Sequence, residues 1–327
     1  MLGCYVDDLF TLYSHDDEHS LYHSFTQALQ TRWGVEDEGE VTDLLNVEIS
    51  REDDCVVLRQ TGYIERLVST YLPQGVPVSV QCNQTPCDDT LPQLISDAVA
   101  SKSTPDPAIL AEYQSIVGAL NYCATHTRPD VAYSVGMLSR AMAYPTPELL
   151  ARAQRVLAYL YRTRDLGLRY EGDSLPLDGF SDSDWAVKHS TSGFVFRYCK
   201  AAISWGSKKQ KSVALSSCEA EIVAASEAAK EAVYFSRFLT ELGFGSGDPT
   251  ALSVDNKAAR DLAYNPEHHE RTKHIDRRHF YIRELVEEQM ITVPYVNTVD
   301  NIADFFTKAL SPKIFIPMRN KIMNVKC

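Results

Sequence analysis

Four acidic residues in the C-terminal half of the chain come in an order that could do phosphodiester chemistry. Asp182 sits in "LDGFSDSDW", Glu221 in "LSSCEAEIVAA", Asp255 in "ALSVDN" and Asp304 in "NTVDNIADFFTK". Four carboxylates gathered in one place cannot stay ionised unless divalent cations offset their repulsion. A ligand set made only of oxygen favours Mg²⁺ or Mn²⁺ over zinc. Two such ions, about 3.5–4 Å apart, activate a water and stabilise the leaving oxygen of a phosphodiester. The chemistry this points to is that of a nuclease.

The elements that must position these groups are legible around them. "PLDGFSD", "SGFVFRY" and "AAISWGS" are three short β-rich runs separated by turn residues. A long helical run over 217–242 follows, stopped by Gly243. Then come "TALSVDN" as a strand, 257–263 as a short helix, 271–288 as a longer one, "ITVPYV" as a strand and 299–310 as a last helix. This is an α/β pattern: one mixed sheet with flanking helices. In it Asp182 closes the first strand and Asp255 the fourth. Glu221 lies in the first turn and a half of the long helix, and Asp304 in the last helix.

The phrases "GFSDSDWA", "STSGFVF", "AISWGSKKQKSVALSSCEAE", "DNKAA", "RTKHIDRRHFYIRE" and "DNIADFFTKAL" resemble the ribonuclease H domain of copia-type retrotransposon Pol polyproteins. The similarity runs in order through nearly all of 178–310. It implies a ribonuclease H-like fold that cleaves the RNA strand of an RNA–DNA hybrid, leaving 3′-hydroxyl and 5′-phosphate ends. Asp182, Glu221, Asp255 and Asp304 would then be catalytic and hold two Mg²⁺ (or Mn²⁺) ions. Related integrases and transposases end this order in Glu, and proofreading exonucleases open it with Asp-x-Glu; here Ser183 and Asp184 follow Asp182. Three of the four have a neighbouring rival. Asp184 also fits a solvated turn. Ser216-x-x-Glu219 reads as a capping box, which gives Glu219 a structural job. Glu221, followed by Ile222 and Ala224, fits the family's Glu-apolar-x-Ala pattern. Asp300 competes with Asp304 and is expected to cap the last helix instead. Trp185 and Trp205 are expected as core or wall residues rather than stacking platforms.

The N-terminal "MLGCYVDDLF" resembles the Tyr-x-Asp-Asp turn of reverse transcriptases, with Asp7 and Asp8 as the metal-binding pair. In the family the third carboxylate, the fingers and most of the palm precede this box, so polymerisation by this chain alone is not expected. Residues 1–72 read as the C-terminal remnant of a reverse-transcriptase palm and the start of a thumb. "SLYHSFTQALQTRWG" carries helical spacing and ends near Gly34. In "LLNVEISRE" Asn46 stands where the family commonly has glycine, and Asn tolerates a left-handed backbone. Residues 73–108, rich in Pro, Ser, Thr, Gln and Asp, read as a variable linker loop. Residues 109–172 form a mainly helical thumb/connection region. Tyr113, Ile116, Leu120 and Cys123 make its first stripe, broken at Arg128-Pro129. Val131, Ser134, Met137 and Leu138 start a second helix, and residues 149–160 build a third. Arg128 and Asp130 are expected to pair with each other or with backbone. The ribonuclease H domain takes 173–310, and 311–327 is a C-terminal tail.

At 327 residues, with 44% hydrophobic and 23% charged residues, the composition is that of a soluble globular protein of about two domains. The net charge of −12 argues mildly against a nucleic-acid binder. Local basic runs stand against it: Lys208, Lys209 and Lys211, then Arg271, Lys273, Arg277 and Arg278, with His274 among them. These are expected to meet backbone phosphates. The eight cysteines form no Cys-x-x-Cys, Cys82 and Cys87 being the nearest pair, and free thiols are expected. His268, His269, His274 and His279 lack zinc-ligand spacing. The acidic N-terminus is no signal peptide, and no apolar run reaches the ~20 residues of a membrane helix. The expected setting is intracellular, cytoplasmic in a virus-like particle or nuclear. The expected partners are an RNA–DNA hybrid and the missing polymerase portion or a second Pol chain, with no membrane. The alternative is a catalytically silent retroelement remnant or a co-opted hybrid-binding module.

Overall fold

The computed structural model describes residues 2–6, 8–11, 13, 21–52, 54–76, 84–172, 176–186, 189–264 and 276–326. Strands β1 (Leu2–Tyr5) and β2 (Asp8–Thr11) form an antiparallel hairpin around the Tyr-x-Asp-Asp box. Helix α1 (His23–Trp33) ends on Gly34, whose φ of 65° lets its N–H close the last turn onto Gln30. Neither β1 nor α1 buries a residue, and Leu2, Tyr5, Val6, Leu21 and Trp33 are exposed. The described residues of this segment contribute nothing to the core.

Strands β3 (Asp43–Leu44), β4 (Val47–Glu52) and β5 (Cys55–Arg59) are antiparallel neighbours. In the turn before β4, Asn46 has φ 61°, as its place in the motif predicts. Helix α2 (Thr61–Tyr71) buries Ile64 and Leu67. The stretch read as a linker loop is not one throughout. It contains helix α3 (Leu91–Ser101), which buries Leu91, Ile95 and Ala98. These residues are spaced four and three apart, one helical stripe hidden in a polar composition, and Pro92 sits in the first turn, where its missing N–H costs nothing. Asp88, just before it, binds Arg152 (2.7 Å) and Arg155, both from the later helix over 147–162.

Helix α4 (Pro107–His126) buries Tyr113, Ile116, Leu120 and Cys123 completely, the predicted stripe. Helices α5 (Ala132–Leu138) and α6 (Pro147–Arg162) follow, the latter capped by Thr146, whose hydroxyl accepts from the Leu149 N–H. Strand β6 (Leu168–Glu171) then returns to pair with β5. Arg128 and Asp130 pair with each other in the helical core.

Beyond it lies the expected mixed sheet. Strands β7 (Asp178–Asp184), β8 (Thr191–Tyr198) and β9 (Ala201–Lys209) are antiparallel. Helix α7 (Ser217–Glu241) crosses to β10 (Thr250–Ser253), which runs parallel to β7. Helices α8 (Lys257–Tyr264) and α9 (Asp276–Glu287) lead to β11 (Ile291–Thr292), parallel to β10, giving the order β11-β10-β7-β8-β9. On one face Ile222, Ala225, Ala228, Ala229 and Ala232 of α7 join Phe194, Phe196 and Leu252; the alanines let the helix lie close. On the other face Val195 and Ala202 join the core of the helical region.

The last predicted helix, 299–310, is instead two short 3₁₀ turns, Thr298–Asp300 and Ile302–Phe306. Asn301 between them is fully buried and donates from Nδ2 to the Ser181 carbonyl (3.0 Å), while Ile302, Ala303, Phe305 and Phe306 are all buried. A segment buried on every side and pinned by a side chain has no solvent face for a regular helix. The stretch read as a tail holds helix α10 (Pro312–Met323), whose Phe315, Met318, Ile322 and Met323 complete the helical region's core. The described cysteines are free, as expected; Cys82 lies outside the described residues. No helix among the described residues is long and apolar enough to cross a membrane.

Candidate active site

Parallel pairing of β7 with β10 sets Ser253 opposite Phe180, so Asp255, two residues on, comes level with Asp182. Helix α7 starts at the cap Ser216 and carries Glu221 to the same end of the sheet. Carboxylate oxygens of Asp182, Glu221 and Asp255 all lie within 4.8 Å of one another. Glu221 Oε1 accepts from the Ser183 N–H (3.3 Å) and hydroxyl (3.2 Å), while its Oε2 is buried without a partner among the described residues. Asp182 Oδ2 accepts from the Thr307 hydroxyl at 2.5 Å. Asp304 stands beside this trio rather than within it. Its Oδ2 is 2.7 Å from Lys308 Nζ, and its Oδ1 is buried without a partner among the described residues.

Burial, then the negative charges of Asp182 and Asp255, push Glu221 up to about 9, against the pull of the Ser183 donors. Burial and then Asp304 push Asp182 up to about 7, with Thr307 opposing. Burial works to lower Lys308, but its hydrogen bond to Asp304 and the charges of Asp304, Asp182 and Asp184 outweigh it and hold it charged. The site is thus a buried negative cluster short of positive charge. All its donors are oxygens, and two of them lack partners among the described residues, so the residues suit a hard divalent cation.

No family model matches the chain. The retrovirus-related Pol polyprotein from transposon TNT 1-94 of Nicotiana tabacum is 34% identical over 319 residues, which cover 95% of this chain and 23% of that protein. A putative transposon Ty5-1 protein of Saccharomyces cerevisiae is 32% identical over 242 residues, covering 70% of this chain and 73% of that protein. The chain belongs to the Pol polyproteins of copia-type transposons. This Pol chain spans less than a quarter of the plant polyproteins it matches: 23%, 21% and 22% of three of them. Among solved structures, an N-terminal ribonuclease H domain from Mycobacterium tuberculosis is 12% identical at a TM-score of 0.33, covering 41% of this chain and 91% of that one. The foamy viral protease-reverse transcriptase in complex with an RNA/DNA hybrid is 14% identical at a TM-score of 0.47, covering 95% of this chain and 37% of that one.

The rival residues of the Pol chain have other partners. Glu219 closes the capping box: its N–H donates to Ser216 Oγ (3.1 Å) and its Oε2 accepts from the Leu215 N–H (2.7 Å). The turn carrying Asp304 is capped by Asn301, whose Oδ1 accepts from the Ala303 N–H, and not by Asp300. Asp184 is exposed at the end of β7. Trp205 donates from Nε1 to the Ala124 carbonyl at 2.6 Å, a wall between sheet and helices, and half-exposed Trp185 donates to the Ala214 carbonyl.

Of the expected phosphate contacts, Lys208 and Lys209 are exposed at the end of β9, with Lys211 exposed just beyond. Arg278 donates to Ser212 Oγ (3.3 Å), which brings the second basic run beside the first. Arg271, Lys273 and His274 lie outside the described residues, as does Asp7; Asp8 is exposed on β2. Thr307 and Lys308 were missed by motif reading. For Lys308 the signal is spacing, since it follows Asp304 by four residues, the separation at which a lysine reaches an aspartate.

Proposed function

We propose that this Pol chain is a ribonuclease H that hydrolyses the RNA strand of RNA–DNA hybrids with two Mg²⁺ (or Mn²⁺) ions. The observation that supports it most is the trio Asp182, Glu221 and Asp255, with oxygens within 4.8 Å from three separate elements. These three and Asp304 would hold the ions. When bound, such ions activate a water and stabilise the leaving oxygen. Ser183 holds one oxygen of Glu221 and Thr307 one of Asp182, which orients both carboxyl groups. Lys208, Lys209, Lys211 and Arg278 would neutralise strand phosphates, and Arg271, Lys273 and His274 belong to the same proposal. Discrimination would rest on hybrid shape and 2′-hydroxyl contacts rather than base sequence.

In this reading residues 1–72 are the end of a polymerase palm and the start of its thumb, 109–172 the thumb/connection, and 173–310 the ribonuclease H domain. The unburied β1 and α1 are the surface that a polymerase portion or second Pol chain would cover.

The test is a labelled RNA–DNA hybrid, with single-stranded RNA and duplex DNA as controls, in Mg²⁺, Mn²⁺ or EDTA, run with Asp255→Asn in parallel. Metal-dependent cleavage of the hybrid alone, lost in the variant, is the expected result. Hybrid binding without cleavage would make the chain a binding module, and neither binding nor cleavage would overturn the reading.

A further inference from the structure

The end of the sheet that carries the carboxylates also receives a cation from the helical region. Asp184, Thr191 and Lys209 are opposite one another at the ends of β7, β8 and β9. Cross-strand partners put their side chains on the same face, with Cα atoms about 5 Å apart. Arg140, just after α5, reaches this row: its Nη2 donates to Thr191 Oγ1 at 3.1 Å. The approach is fixed by close packing, since a Cβ at Gly136 of α5 would lie 3.1 Å from the Ser207 carbonyl oxygen of β9.

Arg140, half-buried, lacks the counter-charge that Arg128, Arg155 and Arg197 have. Arg128 is paired with Asp130 at 2.7 Å, Arg197 with Asp178 at 2.5 Å, and Arg155 with Asp88. No carboxylate of the described residues lies within 4 Å of Arg140, and its one hydrogen bond there is to a neutral hydroxyl. Burial pushes its guanidinium down, with Tyr133 opposing. A guanidinium offers five donors in a planar fork suited to phosphate oxygens. Holding one half-buried without a counter-charge is unfavourable unless a ligand supplies it.

We infer that Arg140, held on Thr191 and flanked by Lys209, binds a backbone phosphate of the nucleic acid at the catalytic end of the sheet. The helical region thereby takes part in holding substrate for a site whose carboxylates all come from 173–310. This rests on the hybrid-nuclease reading.

The test is anisotropy of a labelled RNA–DNA hybrid in EDTA from 50 to 200 mM salt, with wild type, Arg140→Met and Arg140→Lys, and a thermal melt of each. The methionine variant should bind about tenfold more weakly, the scale of one lost charge-assisted hydrogen bond. Its plot of log affinity against log salt should be flatter by about 0.9. The lysine variant should keep the slope and recover part of the affinity. Removing an unpaired half-buried charge should leave the melting temperature equal or higher. Unchanged affinity and slope in Arg140→Met, with wild type binding and cleaving hybrid, would overturn this inference and leave the nuclease reading standing. Weaker binding together with a lowered melting temperature, not restored by lysine, would make Arg140 structural and overturn it too. A wild type that neither binds nor cleaves hybrid would overturn both.

Discussion

Lys308 Nζ lies 2.7 Å from Asp304 Oδ2, and among the described residues this ammonium is the cation paired with the carboxylate cluster. It is 41% exposed while Asp304 is 9% exposed, so the lysine can swing out and the aspartate cannot. A divalent ion drawing on Asp304 must compete with it. Lys308→Met should therefore bind Mn²⁺ several-fold more tightly in calorimetric titration, because the competing charge is gone. The same variant should melt lower than wild type in EDTA, its carboxylates having lost their neutraliser. Equal Mn²⁺ affinity in the two proteins would show that the pair does not oppose metal binding.

The raised carboxyls set a pH dependence opposite in sign to that of ordinary salt-bridged acids. Asp182 and Glu221 titrate near 7 and 9 in the folded chain, against about 4 when unfolded. Between those values the folded state holds more protons than the unfolded one, so stability falls as pH rises. In EDTA the melting temperature should drop from about pH 4 through about pH 9, with both contributions fully present only below the unfolded values. Saturating Mg²⁺ should flatten the profile, since bound cations take over from protons. A metal-free profile that is flat or rises across that window would contradict the burial and repulsion assigned to this pair.

Glu219 and Glu221, two residues apart, should separate cleanly by mutation. Glu219 serves the α7 cap, so Glu219→Ala should lower stability by about 0.5–2 kcal/mol and leave metal affinity in place. Glu221→Gln replaces a buried carboxyl, whose ionised form burial and its acidic neighbours disfavour, by a neutral amide that cannot ionise to meet a metal. It should abolish most Mn²⁺ binding while the metal-free protein melts as high as wild type or higher. Urea unfolding and Mn²⁺ titration of both variants read this directly; metal binding lost in Glu219→Ala and kept in Glu221→Gln would exchange their roles.

Where one local signal carried the information, the sequence was enough. The strands β7 to β9 are β-rich runs bounded by turns, and the stripe Tyr113, Ile116, Leu120, Cys123 needed only its period. The trio Asp182, Glu221, Asp255 could be picked out because each lies close to the end of an element that the pattern marks. The misses have a different cause. The Leu91, Ile95, Ala98 stripe of α3 was diluted by polar neighbours, and its burial depends on α6 and α5, far along the chain. The turn around Asp304 departs from a helix because Asn301 reaches Ser181, a contact 120 residues apart that no local window contains. Gly193 shows the same limit: a Cβ there would sit 2.8 Å from the Phe306 Cβ, so a glycine inside β8 reports the close approach of that distant turn. Arg140 and Lys308 belong with these, since their meaning lies in which groups they face.

The pair Arg128 and Asp130 tests the helical region apart from the site. Both side chains are 0% exposed. Arg128 donates from Nε to Asp130 Oδ1 (2.9 Å), from Nη2 to Oδ2 (2.7 Å) and from Nη1 to the Thr163 carbonyl (3.0 Å), while the Tyr159 hydroxyl donates to Asp130 Oδ2 (2.7 Å). Burial alone would raise the Asp130 carboxyl, but the Arg128 charge and these hydrogen bonds outweigh it and hold it below the usual range. Its contribution is therefore present above about pH 4 and lost as pH falls through the depressed value. Asp130→Asn leaves a buried guanidinium without its counter-charge and should cost about 3–5 kcal/mol in urea unfolding at neutral pH. Replacing both partners by Met and Leu should recover much of that loss, because the desolvation of two charges is removed along with their attraction. Mn²⁺ affinity should be unchanged in either protein, since none of these atoms touches the carboxylate trio. A single variant as stable as wild type would mean that a rearranged neighbour neutralises Arg128, and that the helical region is not locked by this pair.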